Sequence, residues 1–141
     1  MKALQVMPQM VPFRTTSPAN GKHRFPREMP PVGLHIIAEL YGVDPALISY
    51  VKDVEPVVES IVEEAGLTRL QSYYHQFHPH GVTGIVLLAE SHVSLHTWPE
   101  HGLVNLDIFT CGDPAQAQKA FELFLERFRP ASYRHLQLER G

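Results

Sequence analysis

Apolar residues recur along this chain with two periods. Val54, Val57, Val58, Ile61, Val62 and Ala65 fall at the i, i+3, i+4, i+7 spacing of one helical face, with Glu55, Glu59, Glu63 and Glu64 largely opposite. Asp53 is placed to cap the start of that helix and Gly66 to end it. A second helix is predicted to begin with Asp113 as cap and Pro114 in its first turn. It would bury Ala117, Ala120, Phe121, Phe124 and Phe128 and stop before Pro130. The acidic outer faces of both helices read as solvated surface.

Strand-like runs occupy residues 34–41, 69–78, 84–90, 93–98, 103–110 and 133–138, with turn chemistry at Pro79-His80-Gly81 and His101-Gly102. The element order is therefore β-α-β-β-β-β-α-β. Strands joined by short loops cannot be parallel neighbours, because a parallel crossover needs about a dozen residues or more. The expectation is an α/β fold of the α+β kind, a two-layer sandwich with a mainly antiparallel sheet and both helices on one face. Ile85–Ala89 is apolar at every position, which predicts a central strand covered on both sides.

Composition narrows the picture. A chain of 141 residues with 44% hydrophobic content suits one domain with a substantial core. The formal net charge of −3 gives no basic stripe for a phosphate backbone, so nucleic acid is not expected as a partner. No apolar run approaches the roughly 18 residues of a membrane span, and the N-terminus lacks the apolar core of a secretory signal; a soluble cytoplasmic protein with no membrane partner is expected. A single cysteine, Cys111, cannot form an internal disulfide, which fits a reducing compartment and leaves the thiol free for chemistry or for packing as a small hydrophobe. Residues 1–32 stand apart: they hold six of the twelve prolines and five basic residues against one acid. They read as a poorly ordered extension ahead of a single domain at 33–141.

The chemistry concentrates in Glu90-Ser91-His92-Val93-Ser94-Leu95-His96-Thr97-Trp98-Pro99-Glu100, followed by Asp107-Ile108-Phe109-Thr110-Cys111-Gly112. A serine, histidines and the cysteine stand close together there. With Gly33-Leu34-His35, Glu39-Leu40-Tyr41, His75-Gln76-Phe77 and Gly81-Val82-Thr83-Gly84, this block resembles the small prokaryotic S-adenosylmethionine decarboxylases, pyruvoyl-dependent proenzymes that cut themselves at a Glu-Ser bond. The likeness runs from about Gly33 to Gly141.

The resemblance implies a two-layer α/β sandwich and a self-made cofactor. Ser91 Oγ would attack the Glu90 carbonyl, turning the amide into an ester through a tetrahedral oxyoxazolidine. β-Elimination would then break the chain, and the resulting dehydroalanine would hydrolyse to a pyruvoyl group at residue 91. Loss of carbon dioxide from an amino acid leaves electrons on Cα that no ordinary side chain accepts, and a pyruvoyl ketone condensed with the substrate amine supplies the missing sink. By the same resemblance, Thr83 is the processing hydroxyl, standing where the family often has serine. His96 is the base that removes the Cα proton during elimination, a task suited to imidazole. Cys111 returns a proton to the substrate. Phe77 stacks on adenine, Glu100 takes the ribose hydroxyls through its two acceptor oxygens, and Trp98 joins them in substrate binding. The implied assembly is a homodimer of cleaved protomers that shares its sites across the interface, acting on a small molecule and feeding spermidine synthesis.

Other readings stay open on the residues. Taken alone, Phe77 reads equally as core, Glu100 as surface and His96 as a packed strand histidine. His75, His78, His80, His92, His96 and His101 cluster in sequence, yet their spacing matches no named zinc pattern, so no metal is expected. Leu34, Leu103 and Asn105 depart from residues usual in the family, and pyruvoyl-dependent action on arginine or ornithine is the alternative function. A homologue that never processes and serves as a binding or regulatory partner is the third reading. The presence of Ser91, His96 and Cys111 together weighs against it.

Overall fold

The computed structural model describes residues 8–10 and 32–140. Its elements are β1 (Gln9–Met10), β2 (Gly33–Tyr41), α1 (Pro45–Ile48), α2 (Val51–Glu64), β3 (Arg69–Gln76), β4 (Val82–Leu88), β5 (Ser91–Trp98), β6 (Leu103–Thr110), α3 (Pro114–Phe128) and β7 (Ser132–Arg140). A 3₁₀ turn at Pro99–His101 joins β5 to β6. The strands form one sheet in the order β1-β7-β2-β6-β5-β4-β3. Every pairing is antiparallel except β1 with β7.

Alternation sets the layers. Ile36, Ala38 and Leu40 of β2, Val82, Val86 and Leu88 of β4, Val93 and Leu95 of β5, and Val104, Leu106 and Ile108 of β6 are buried on one side, where α2 and α3 supply Val54, Val58, Ile61, Val62, Ala117, Ala120, Phe121, Phe124 and Phe128. Both long helices thus cover the same sheet face, as the element order predicts. The opposite face has no layer over it among the described residues.

That open face corrects the expectation for β4. The strand is second from the edge, and Ile85 and Leu87 are each 49% exposed. Continuous apolarity arises here because half of β4 meets the helices and half meets the uncovered face. The start of α2 also differs from expectation. Asp53 does not cap it: the helix begins at Val51 after Tyr50, which offers no side-chain cap. Instead Gln76 reaches across from β3, and its Oε1 accepts from the Val51 N–H at 2.8 Å. Asp53 sits in the first turn, where its charge favours the positive end of the helix.

The rest of the helical punctuation follows the sequence. Gly66 takes φ +76° just past α2, a left-handed turn that only glycine adopts freely. Asp113 Oδ1 accepts from the Ala115 N–H at 2.9 Å, Pro114 opens α3, and left-handed Arg129 ends it before Pro130. Several strand limits shift by one or two residues. The second predicted run stops at Gln76, where the Phe77 N–H closes a turn onto the Gly81 carbonyl at 2.8 Å. β4 starts at Val82 because Gly84 lies inside the strand: a Cβ there would stand 2.7 Å from the Tyr74 ring of its cross-strand partner. β5 starts at Ser91, two residues before the predicted limit. Two elements escape the pattern altogether, four-residue α1 and two-residue β1, being too short for periodicity. Apart from residues 8–10 and 32, the extension 1–32 lies outside the described residues.

Candidate active site

The β4–β5 hairpin presents the Glu90–Ser91 bond. Ala89 donates its N–H to the Thr68 carbonyl at 2.9 Å, and the Glu90 carboxylate accepts from the Thr68 N–H at 3.2 and 3.1 Å, so the turn is clamped to the loop before β3. Slight burial pushes the Glu90 carboxyl up, but the hydrogen bonds from Thr68 outweigh it and hold the group below its ordinary range. Ser91 takes φ +149°, a conformation that residues with a side chain rarely adopt. Strain of this kind costs on the order of 1–3 kcal/mol and persists only when neighbours over-determine it.

The loop after β6 completes this end. The Cys111 N–H donates to the Glu90 carbonyl oxygen at 2.7 Å, polarising the bond that an adjacent nucleophile would attack. Gly112 permits the approach, since a Cβ there would lie 3.2 Å from Glu90 Cγ. Cys111 is exposed and forms no disulfide. Ser91 Oγ lies 3.3 Å from His92 Nδ1.

A second cluster forms at the other end of β5. Thr83 Oγ1 and His96 Nδ1, paired across β4 and β5, are 2.8 Å apart. Phe77, His80, Gly81, Thr83, His96, Thr97, Trp98 and Glu100 line a cavity of about 280 Å³. Phe77 is 49% and Trp98 45% exposed, which rules out the core reading of Phe77 within the chain. Trp98 Nε1 donates to Asn105 Oδ1 at 2.7 Å, so the residue that departs from the family's usual small side chain steadies the indole. Glu100 Oε2 lies 3.5 Å from His80 Nδ1.

The sequence-predicted residues therefore converge, but into two groups. Glu90, Ser91 and Cys111 share one end of the sheet; Thr83, His96, Phe77, Trp98 and Glu100 share the other. Ser91 and His96 are five residues apart along one strand, about 16 Å at strand rise, so His96 does not reach the Cα of its own Ser91. Leu34 packs against the core in the same cross-strand row as Ser91, with Thr110 between them. Among the described residues, no group of three His, Cys, Asp or Glu side chains is arranged to hold a metal ion.

Motif reading missed three contributors. Thr68 holds the scissile turn, and its contacts to Glu90 span 22 positions with no sequence signal. Gln76 fastens the cavity end: beyond its bond to Val51, its Nε2 donates to the carbonyls of Ser49 and Gly81 at 3.0 and 3.1 Å. Thr97, 6% exposed, donates to the Ile48 carbonyl at 2.7 Å and accepts from the Val82 N–H at 2.8 Å, tying α1, β4 and β5 together beneath the cavity. Its place within the Glu90–Glu100 block gave the only hint.

A helix-backed sheet that carries a strained, carbonyl-polarised peptide at one strand end and an aromatic, carboxylate-edged cavity at the other defines an α/β sandwich enzyme. The family described as S-adenosylmethionine decarboxylase matches residues 34–141, and the chain belongs to that family. It is 66% identical over 110 residues to the S-adenosylmethionine decarboxylase proenzyme of Archaeoglobus fulgidus, covering 78% of this chain and 98% of that protein. The proenzyme of Picrophilus torridus is 52% identical, with 78% and 85% covered. The crystal structure of the adenosylmethionine decarboxylase from Aquifex aeolicus superposes with a TM-score of 0.77 at 49% identity, over 79% of this chain and 92% of that one.

Proposed function

We propose that this chain is an S-adenosylmethionine decarboxylase that makes its own pyruvoyl group from Ser91 and works as a dimer of cleaved chains. The observation that carries the reading is the Glu90–Ser91 peptide, strained at Ser91 and held by the Cys111 N–H on the carbonyl oxygen. Attack by Ser91 Oγ relieves that backbone, and the developing oxyanion meets a donor already in place. The residues present fit a pyruvoyl group, which needs no prosthetic molecule beyond the serine at the new chain start. Once formed, it supplies the electron sink that decarboxylation requires.

The chain's own residues would do the rest. Cys111, next to the cleaved bond, returns a proton to the substrate Cα. Phe77 and Trp98 offer exposed aromatic faces for adenine, and the paired oxygens of Glu100 suit the ribose diol. Thr83 holds His96 through Nδ1, leaving Nε2 as the nitrogen free to take the Ser91 Cα proton during elimination. The products are carbon dioxide and decarboxylated S-adenosylmethionine, an aminopropyl donor for spermidine.

The separation of about 16 Å between Ser91 and His96 supports a shared site. A two-fold axis that lays the open sheet faces of two copies together brings the His96 end of one chain over the Ser91 end of the other. Ile85, Leu87, Tyr73 and Trp98, all exposed in the single chain, give that face the apolar content such packing uses.

Intact mass and carbon dioxide release test the proposal together. Two fragments divided after residue 90, and release from S-adenosylmethionine well above that from arginine or ornithine, are expected. An uncut active chain removes the pyruvoyl reading, and turnover of arginine alone removes the substrate.

A further inference from the structure

The processing scheme commits the partner's His96 to elimination and the partner's Thr83 to holding that imidazole, while each chain's own pair stands about 16 Å along the sheet from its Ser91. Nothing in that scheme takes the proton from Ser91 Oγ. A serine hydroxyl is a poor nucleophile until a base accepts its proton as the new bond forms. The nearest candidate is the next residue.

His92 Nδ1 lies 3.3 Å from Ser91 Oγ, and its ring is braced on the open sheet face: it meets Phe109 edge-on with centroids 6.0 Å apart and His35 at 6.5 Å. The distance is long for a hydrogen bond, as contacts of catalytic bases often are before reaction. His35 cannot substitute for it. Its Nε2 lies 2.8 Å from Asp107 Oδ1, and its Nδ1 faces the Arg140 guanidinium at 3.5 Å.

We infer that His92 is the general base of the acyl shift, taking the Ser91 hydroxyl proton on Nδ1. The inference rests on the self-processing reading above. As Oγ bonds to the Glu90 carbonyl carbon, the proton passes to Nδ1 and the carbonyl oxygen becomes an anion held by the Cys111 N–H. When that intermediate collapses, the Glu90 C–N bond breaks and His92 returns the proton to the departing Ser91 nitrogen. Atoms and charge balance with no added reagent.

The surroundings keep the ring neutral and ready to accept. Burial pushes the His92 imidazole down, and the neighbouring His35 and Arg140 push the same way, while Asp107 on β6 opposes them. On the β4 side its cross-strand partner is Leu87, which carries no charge. A protonated His92 has no lone pair on Nδ1, so the shift slows toward acid with its inflection lower than the ordinary histidine value of about 6.5.

The test separates this step from elimination. Hydroxylamine cleaves the ester directly, leaving a hydroxamate on Glu90 and an unmodified serine at residue 91, so scission in its presence reads the acyl shift without His96. Newly translated full-length chains of the natural sequence, His92→Ala and His92→Gln are compared. Expected are scission of the natural chain with an acid inflection, scission slower by about 100-fold or more in both variants with that inflection gone, and partial rescue of His92→Ala by added imidazole. The glutamine of His92→Gln keeps a polar partner for Ser91 but takes no proton, so that variant decides the matter should His92→Ala fold poorly. Natural rates in His92→Gln, or a slower rate with an unchanged pH profile and no rescue, overturn the role of His92 and leave self-processing standing. A natural chain that never cuts, with or without hydroxylamine, overturns both.

Discussion

At the scale of single residues, the two contributions of position 111 come apart. The backbone N–H of Cys111 polarises the Glu90 carbonyl, whereas its thiol is proposed to protonate substrate. Cys111→Ala keeps the N–H, so fragments divided after residue 90 are expected by intact mass while amine product falls by about 100-fold or more. Equal loss of cleavage and turnover would show that the side chain, not the backbone, serves processing. Ser91→Ala lacks the attacking oxygen and is expected to run as one uncut chain on denaturing electrophoresis. These positions stood out in the sequence through the motif's resemblance to the family, since taken alone each residue also reads as packed or surface. Their neighbours did not. Thr68 reaches Glu90, and the Cys111 N–H reaches its carbonyl, only because the strands they flank lie within one sheet, and no local spacing encodes that.

At the scale of elements, long periodic segments were readable and their junctions were not. Both long helices bury the faces that their spacing predicts, and Asp113 and Gly66 punctuate them as expected. Asp53 misled because the residue capping α2 comes from another element: a cap supplied by Gln76 over 25 positions leaves no mark beside the helix. β4 misled because an apolar run reads the same whether a helix or an open face lies over it. Thr97 illustrates the junctions best. Thr97→Val keeps the shape but leaves the Val82 N–H and the Ile48 carbonyl without its hydroxyl, and a loss of about 2 kcal/mol by urea unfolding is expected. His135 makes a second test. It packs under α3 with ring centroids 4.9 Å from Phe121, and its buried Nδ1 has no hydrogen-bond partner. Burial pushes its pKa down, so the unfolded chain takes up a proton first as pH falls below about 6.5. The stability present above that pH is therefore lost progressively toward the lower, folded-state value. His135→Phe removes this contribution, and thermal melts of an uncleavable Ser91→Ala background are expected to show a shallower acid decline in the double variant.

At the scale of the whole molecule, the division of the site between two strand ends makes a prediction that no single-chain mechanism shares. Ser91→Ala retains the His96 end and lacks the nucleophile; His96→Ala retains the nucleophile and lacks the base. Alone, neither variant completes cleavage, the second stopping at the ester. When differently tagged copies are expressed together and pair at random, about half of the dimers are mixed. Each mixed dimer then holds one complete constellation, built from Ser91 and Cys111 of the His96→Ala chain and from Thr83 and His96 of the Ser91→Ala chain. Mass spectrometry is expected to find scission after residue 90 confined to the His96→Ala chain, in up to about half of its molecules, together with recovered carbon dioxide release. A copy that supplied its own base could not be rescued, since the damaged position would still face its own serine. Adding Ile85→Asp to both variants places like charges on the open face, and it is expected to abolish the rescue while leaving each chain folded by circular dichroism, because that side chain lies on the exposed side of the sheet, opposite Ser94 and away from the helical core.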